Sequence, residues 1–177
     1  MKTITRLFGL ALLLVMFAVT AQAQVTESST ATATIVSPIT IVLDVPLNFG
    51  NLAVSATGGV VTLEASAAAT RSQVGGVTFP VVAGTVAAAT FTVSGVPDAT
   101  YSILLPSTDL TITNTTGAGG ETMIVNNFTS SPTPTGQLGA LSGEETLYVG
   151  ADVTVAANQV AGVYVSAVPF DVTVNYN

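Results

Sequence analysis

The 177-residue chain contains no cysteine, no histidine and no tryptophan, and only three basic residues. Without cysteine there is no disulfide, so stability must come from apolar burial and sheet hydrogen bonds. Without histidine or cysteine there is no Ser–His or Cys–His nucleophilic pair and no zinc site of the usual ligand set. Two of the three basic residues, Lys2 and Arg6, lie at the very start, leaving Arg71 alone beyond them. A nucleic-acid partner is thereby excluded, because phosphate binding needs lysine and arginine. Anionic membrane surfaces are disfavoured for the same reason. No glycine-rich segment leads into a helical pattern, so no phosphate cradle is present.

Carboxylates are what remain for chemistry: Glu27, Asp44, Glu64, Asp98, Asp109, Glu121, Glu144, Glu145, Asp152 and Asp171. A glycosidase would set two of them across a cleft. Here they stand singly in or near loop segments, the ordinary place for solvated acids, and their excess reads as solubility. A calcium loop needs several oxygens converging from one stretch, and no D-x-D-x-D-G pattern occurs. The expectation is a non-enzyme without cofactor or metal.

What the chain does have begins with its first 23 residues. Lys2 and Arg6 precede an apolar run over residues 7–19, broken only by Gly9, and Ala21-Gln22-Ala23 is a small-x-small cleavage site. The run is too short for the roughly 30 Å of membrane hydrocarbon, so it reads as a secretory signal peptide. Cleavage is expected after Ala23, leaving residues 24–177 as one exported domain, periplasmic, surface-bound or extracellular. Arg71 then faces ten acids, a net charge of −9. No second apolar run of spanning length follows, so no transmembrane segment is expected after cleavage. No cysteine at the cleavage point offers a lipid anchor.

Threonine, valine, alanine, serine and glycine dominate the rest, a strand-and-turn composition. The last eight residues alternate without a break: Phe170, Val172, Val174 and Tyr176 on one face, Asp171, Thr173, Asn175 and Asn177 on the other. That is the period of a half-buried strand. Residues 31–43 read as a long strand interrupted by Pro38, which cannot donate to a ladder. Leu47-Asn48-Phe49-Gly50 is a short apolar element, Thr57-Gly58-Gly59 a turn, and 60–63 a strand. Residues 65–73 read as an alanine-rich loop and 77–82 as a strand with Pro80 marking an edge. Residues 89–94 and 101–105 suggest a hairpin across Gly95-Val96-Pro97-Asp98. Further strands are expected at 110–113, 123–128, 146–155 and 163–165, with a bulge at Gly150. Residues 115–120 and 158–162 read as turns, and 129–143 as a long surface loop. About eight or nine short strands and no amphipathic helix predict an all-β, Ig-like Greek-key β-sandwich. A membrane β-barrel would need longer alternating segments and aromatic girdles. Asn114 and Asn127 each open an N-x-[ST] acceptor pattern, which is common by chance in a threonine-rich chain.

Several of these stretches, taken in order, resemble a family of exported bacterial domains, the domain-of-unknown-function 4402 type. They are residues 31–39, Leu47-Asn48-Phe49-Gly50, Phe91-Thr92-Val93-Ser94-Gly95, Leu147-Tyr148-Val149-Gly150 and residues 170–177. The Leu-x-Phe-Gly element and the terminal strand with its penultimate tyrosine are also similar to spore-coat-U and pilus-subunit domains. In those families an Ig-like fold is completed by a strand from the next subunit; the chain departs from the usual pilin in having no cysteine pair. The resemblance implies a structural subunit of a fimbria-like or surface assembly. Its partners would be further copies or related surface subunits, with a periplasmic chaperone and an outer-membrane usher. The candidate strand-exchange residues are Ala31, Ala33, Ile35, Ile39, Ile41, Phe170, Val172, Val174 and Tyr176, with Pro38 separating a mobile donor half, 30–36, from a resident half, 39–43. The other reading of residues 25–43 is a resident first strand of a closed domain. The other reading of the protein is a monomeric surface or periplasmic binding module for carbohydrate or a protein ligand.

Overall fold

The computed structural model describes residues 24–116 and 119–177. The leader expected over residues 1–23 lies outside the described residues, as does the tip of the 115–120 turn. Among the described residues there is no helix, so none is long and apolar enough to cross a membrane. The described residues are all-β, with eleven strands rather than eight or nine: β1 (Thr40–Val45), β2 (Ala53–Leu63), β3 (Arg71–Thr78), β4 (Ala89–Ser94), β5 (Thr100–Leu104), β6 (Leu110–Asn114), β7 (Thr122–Ser131), β8 (Thr135–Gln137), β9 (Glu144–Val155), β10 (Tyr164–Ser166) and β11 (Thr173–Tyr176). Every pairing is antiparallel. One sheet runs β1-β4-β9-β7-β6-β10, with β2 also on β9 and β3 on β2; a second runs β11-β5-β8.

β9 organises the larger sheet. Its first half pairs with β4, its second half with β2, and β7 runs along its other side. Leu147, Val149, Ala151, Val153 and Val155 are all buried, as the period of two requires. Each buried leucine or valine side chain among them contributes about 1.5–3 kcal/mol on leaving water. The alternation passes Gly150 unbroken. The expected bulge lies instead on the neighbouring strand: between Asn126 and Thr129, β7 advances three residues while β9 advances two, from Asp152 to Gly150. Asn127 absorbs the extra residue at φ 50°. Gly150 serves a close approach, because a side chain there would run into the Leu63 carbonyl.

One apolar cluster joins the two sheets. Ala89, Phe91 and Val93 of β4 and Leu147 and Val149 of β9 meet Tyr101 of β5, Val174 of β11 and Leu138. A second cluster packs Val61, Val77, Val125, Ala151, Val153 and Val155 beneath the 47–52 segment, with Leu47, Phe49 and Leu52 against it. Asn48 pins that segment by reciprocal backbone bonds with Ala87, 2.8 and 2.9 Å.

Several expectations are corrected. Residues 89–94 and 101–105 are not a hairpin: β4 and β5 belong to different sheets. Gly95-Val96-Pro97-Asp98 carries the chain between layers, with Asp98 at φ 64° and the Gly95 amide donating to the Gly143 carbonyl. Alternation reports which residues face the core, not which strand lies alongside. Thr57-Gly58-Gly59 does not end a strand but lies inside β2 at a register shift. β3 takes up residues 71–78, so it starts within the expected 65–73 loop and ends before Pro80. The 129–143 segment contains β8 and the end of β7. The long strand over 31–43 is reduced to β1: pairing begins at Thr40, opposite Ser94, the last residue of β4.

Candidate functional site

β1 ends the larger sheet and β11 ends the smaller one. Among the described residues, β1 pairs only with β4 and β11 only with β5, so each has an unpaired edge. The two strands touch. Their seam gathers six of the nine residues singled out in the sequence: Ile39, Ile41, Phe170, Val172, Val174 and Tyr176 all pack on the cluster that joins the sheets. The terminal alternation is realised throughout, with Val174 buried, Phe170, Val172 and Tyr176 half-buried, and Asp171, Thr173, Asn175 and Asn177 exposed.

The seam is incompletely covered. Ile41 stands opposite Val93 and Leu43 opposite Phe91, so all four point to the core face. Val93 is fully buried, yet Leu43 is 55% exposed. Leu43 was missed as a candidate, although it continues the Ile39, Ile41 spacing. Beside it, Val42 and Val45 are also exposed. Free edges with exposed apolar residues are templates for another strand.

Tyr176 closes one end of the seam. Its hydroxyl accepts a hydrogen bond from the Val96 amide (2.7 Å) and donates one to the Ser37 carbonyl (3.0 Å). A side chain on Gly95 would overlap that hydroxyl. The tyrosine therefore fixes the approach to β1 against the turn between β4 and β5. The remaining three candidates, Ala31, Ala33 and Ile35, lie in a stretch, residues 24–35, that forms no strand and is exposed throughout. Ile35 is 98% exposed.

Four of the ten carboxylates accept hydrogen bonds within the fold. Asp44 accepts from Thr92 Oγ1 (2.7 Å), Asp98 from Gln137 Nε2 (2.8 Å) and Asp152 from Asn127 Nδ2 (2.9 Å). Glu145 accepts from Tyr101 Oη (2.7 Å) and from the Gln137 amide (2.9 Å). Asp109 and Asp171 line an open cleft of about 770 Å³ between the β5–β6 and β10–β11 connections, with Leu104, Val168 and Phe170 among its apolar walls. Among the described residues no group of three or more acids could hold a metal ion. Of the two glycosylation patterns, Asn114 is buried and accepts from the Thr116 amide and hydroxyl, a structural use.

Fold and seam together define a chain of antiparallel sheets with open edges at the joint between its layers. It belongs to a family described as Domain of unknown function (DUF4402), whose sequence model matches residues 38–176. The match therefore spans β1 to β11 and starts at Pro38. No curated protein and no solved structure matches the chain. The similarity to spore-coat-U and pilus-subunit domains is not part of this assignment.

Proposed function

We propose that this protein is a non-enzymatic, exported structural subunit of a fimbria-like or cell-surface assembly, built on an Ig-like Greek-key sandwich and joined by strand addition. The observation that carries the reading is Leu43, a core-facing side chain left more than half exposed between two unpaired edges. Strand addition supplies main-chain hydrogen bonds for affinity and alternate side chains for register. The segment 30–36 alternates, with Ala31, Ala33 and Ile35 on one face and Thr30, Thr32, Thr34 and Val36 on the other. It forms no strand, and all of it but Val36 falls outside the compact unit that starts at Val36. Its stretch from Ser28 to Leu43 carries no charge, so a neighbour of the same acidic chain meets it without repulsion. Other copies or related subunits are the natural partners, with a periplasmic chaperone and outer-membrane usher serving export and assembly.

Deletion of residues 24–36 tests the reading. The shortened domain is expected to fold and to remain monomeric, while the chain starting at Gln24 forms concentration-dependent oligomers in light scattering. A chain that stays monomeric at high concentration would sink the proposal. The cleft flanked by Asp109 and Asp171 favours the second reading, a monomeric binding module, and that result would turn attention to it.

A further inference from the structure

We infer that the cleft between the β5–β6 and β10–β11 connections is a docking site for an extended basic peptide segment of another protein, with lysine or arginine set among apolar residues. The inference deepens the binding reading of that cleft and does not depend on strand addition, since none of the residues lining it belongs to β1.

The cleft, of about 770 Å³, has the size of a ligand site. Leu104 and Val168 on its walls are 66% and 68% exposed, so apolar surface is left uncovered there. The Phe170 ring in the same lining is backed by Phe128, with ring centres 4.9 Å apart. Asp109 and Asp171 are exposed. Among the described residues neither carboxylate accepts a hydrogen bond, unlike those of Asp44, Asp98, Asp152 and Glu145. No basic residue lines the cleft.

Charge and surface together select the occupant. Two carboxylates without a cation are complementary to positive charge. Lysine and arginine lay their methylene stems along apolar walls while their heads reach a carboxylate. A metal ion does not fit, since no group of three acids is present among the described residues. A second copy of the chain does not fit either. After Arg6 its only base is Arg71, whose guanidinium already serves the Phe49 and Asn51 carbonyls. A small diamine would leave the adjoining hollow of about 240 Å³ unused. That hollow shares Pro106, Ser107, Thr108 and Asp109 with the cleft and adds Asn126 and Asn127, whose side-chain amides can pair with peptide groups.

Calorimetric titration of the chain starting at Gln24 with the capped peptide acetyl-Val-Arg-Val-Arg-Val-amide tests the assignment. Saturable binding is expected at about 100 μM or below in low salt, weakening as salt is added. Asp109→Asn together with Asp171→Asn should weaken it about three- to tenfold, the range that two exposed ion pairs allow. Val168→Ser, at a side chain already mostly exposed, should weaken it as well. Glu64→Gln together with Glu144→Gln removes the same charge outside the cleft and should change binding by less than about twofold. The inference is overturned if the peptide does not bind at millimolar concentration, or if both double variants weaken it equally. Equal binding of the peptide with glutamine in place of arginine, or tighter binding of spermidine at the same site, would overturn it too. None of these outcomes bears on whether the chain forms oligomers, so the assembly reading stands or falls separately.

Discussion

Tyr101 of β5 and Glu145 of β9 are joined across the two sheets by a hydrogen bond of 2.7 Å from the phenol to Oε2. Glu145 pairs in register with the fully buried Val93, so this carboxylate stands on the core face of β9. The Gln137 amide of β8 donates to the same oxygen. One acid thus ties three strands, and its desolvation is offset by the two donors. Glu145→Ala strands both donors and is expected to cost about 1–3 kcal/mol in urea unfolding, with Tyr101→Phe costing about 1.5–3 kcal/mol. The double variant should lose less than the sum, because the two changes remove one shared interaction. Additive losses would show that the contact is energetically idle.

Stability at high pH follows from the same pair. The Tyr101 phenol is pushed above its ordinary value of 10.0, first by burial, then by its hydrogen bond to Glu145, then by the charge of Glu145. Above that ordinary value the unfolded chain releases the Tyr101 proton while the folded chain keeps it. The contribution is fully present below about pH 10 and is lost as pH rises, at up to about 1.4 kcal/mol per unit. Urea midpoints measured from about pH 9 to about pH 11 should fall more steeply for the native protein than for Tyr101→Phe. Parallel curves would refute the assignment.

Arg71 is the only basic residue after Arg6. Its Nη1 donates to the Phe49 carbonyl (2.7 Å) and the Asn51 carbonyl (3.1 Å), and its guanidinium lies 4.3 Å from the centre of the Phe79 ring. It thereby clamps the 47–52 segment over the second apolar cluster. Arg71 also sits in a strand, opposite Leu63 of β2. A chain starting at Gln24 offers trypsin no other basic residue to cut after. Native protein should therefore resist trypsin and, when opened by urea, give two fragments split after Arg71. The cleavage rate should follow the population of the open form. Rapid cleavage without denaturant would show that β3 frays from β2.

Gly95 and Tyr176 make a second pair that can be tested together. A methyl group on Gly95 would overlap the Tyr176 hydroxyl and approach Leu138 Cδ1 at 3.0 Å. Gly95→Ala should cost about 1–3 kcal/mol. Tyr176→Phe loses two hydrogen bonds in the native background but removes the overlapping atom in the Gly95→Ala background. It should therefore be less damaging there. Equal effects in both backgrounds would place the Gly95→Ala damage elsewhere.

The terminal strand was legible residue by residue, because a period of two states directly which side chains are buried. Its neighbour was not. The same alternation in β4 and β5 suggested a hairpin, yet their partners are β1, β9, β11 and β8. Residues 31–36 alternate as convincingly as β1 does, but pairing is a property of what lies beside a segment, and β4 ends where Thr40 begins. Glu145 was read with the solvated acids; only its register with Val93 reveals the inward-facing carboxylate. Leu43 shows the same limit from the other side, since its sequence announces a core residue and only the incomplete cover reveals an edge.

Leu43 also offers the sharpest test of the seam. Its side chain is already 55% exposed, so Leu43→Ser removes little burial from the isolated domain. Stability should change by less than about 1 kcal/mol, against about 2–5 kcal/mol for Leu147→Ala in the core. In an assembled state the same side chain would be covered, and its loss should weaken association by about 1.5–3 kcal/mol, roughly tenfold or more at equilibrium. Light scattering on the two variants at matched concentration separates the effects. Leu147→Ala should lower stability, and Leu43→Ser should lower oligomer size while leaving the urea midpoint in place. If Leu43→Ser assembles as the native chain does, the added strand lies on another edge.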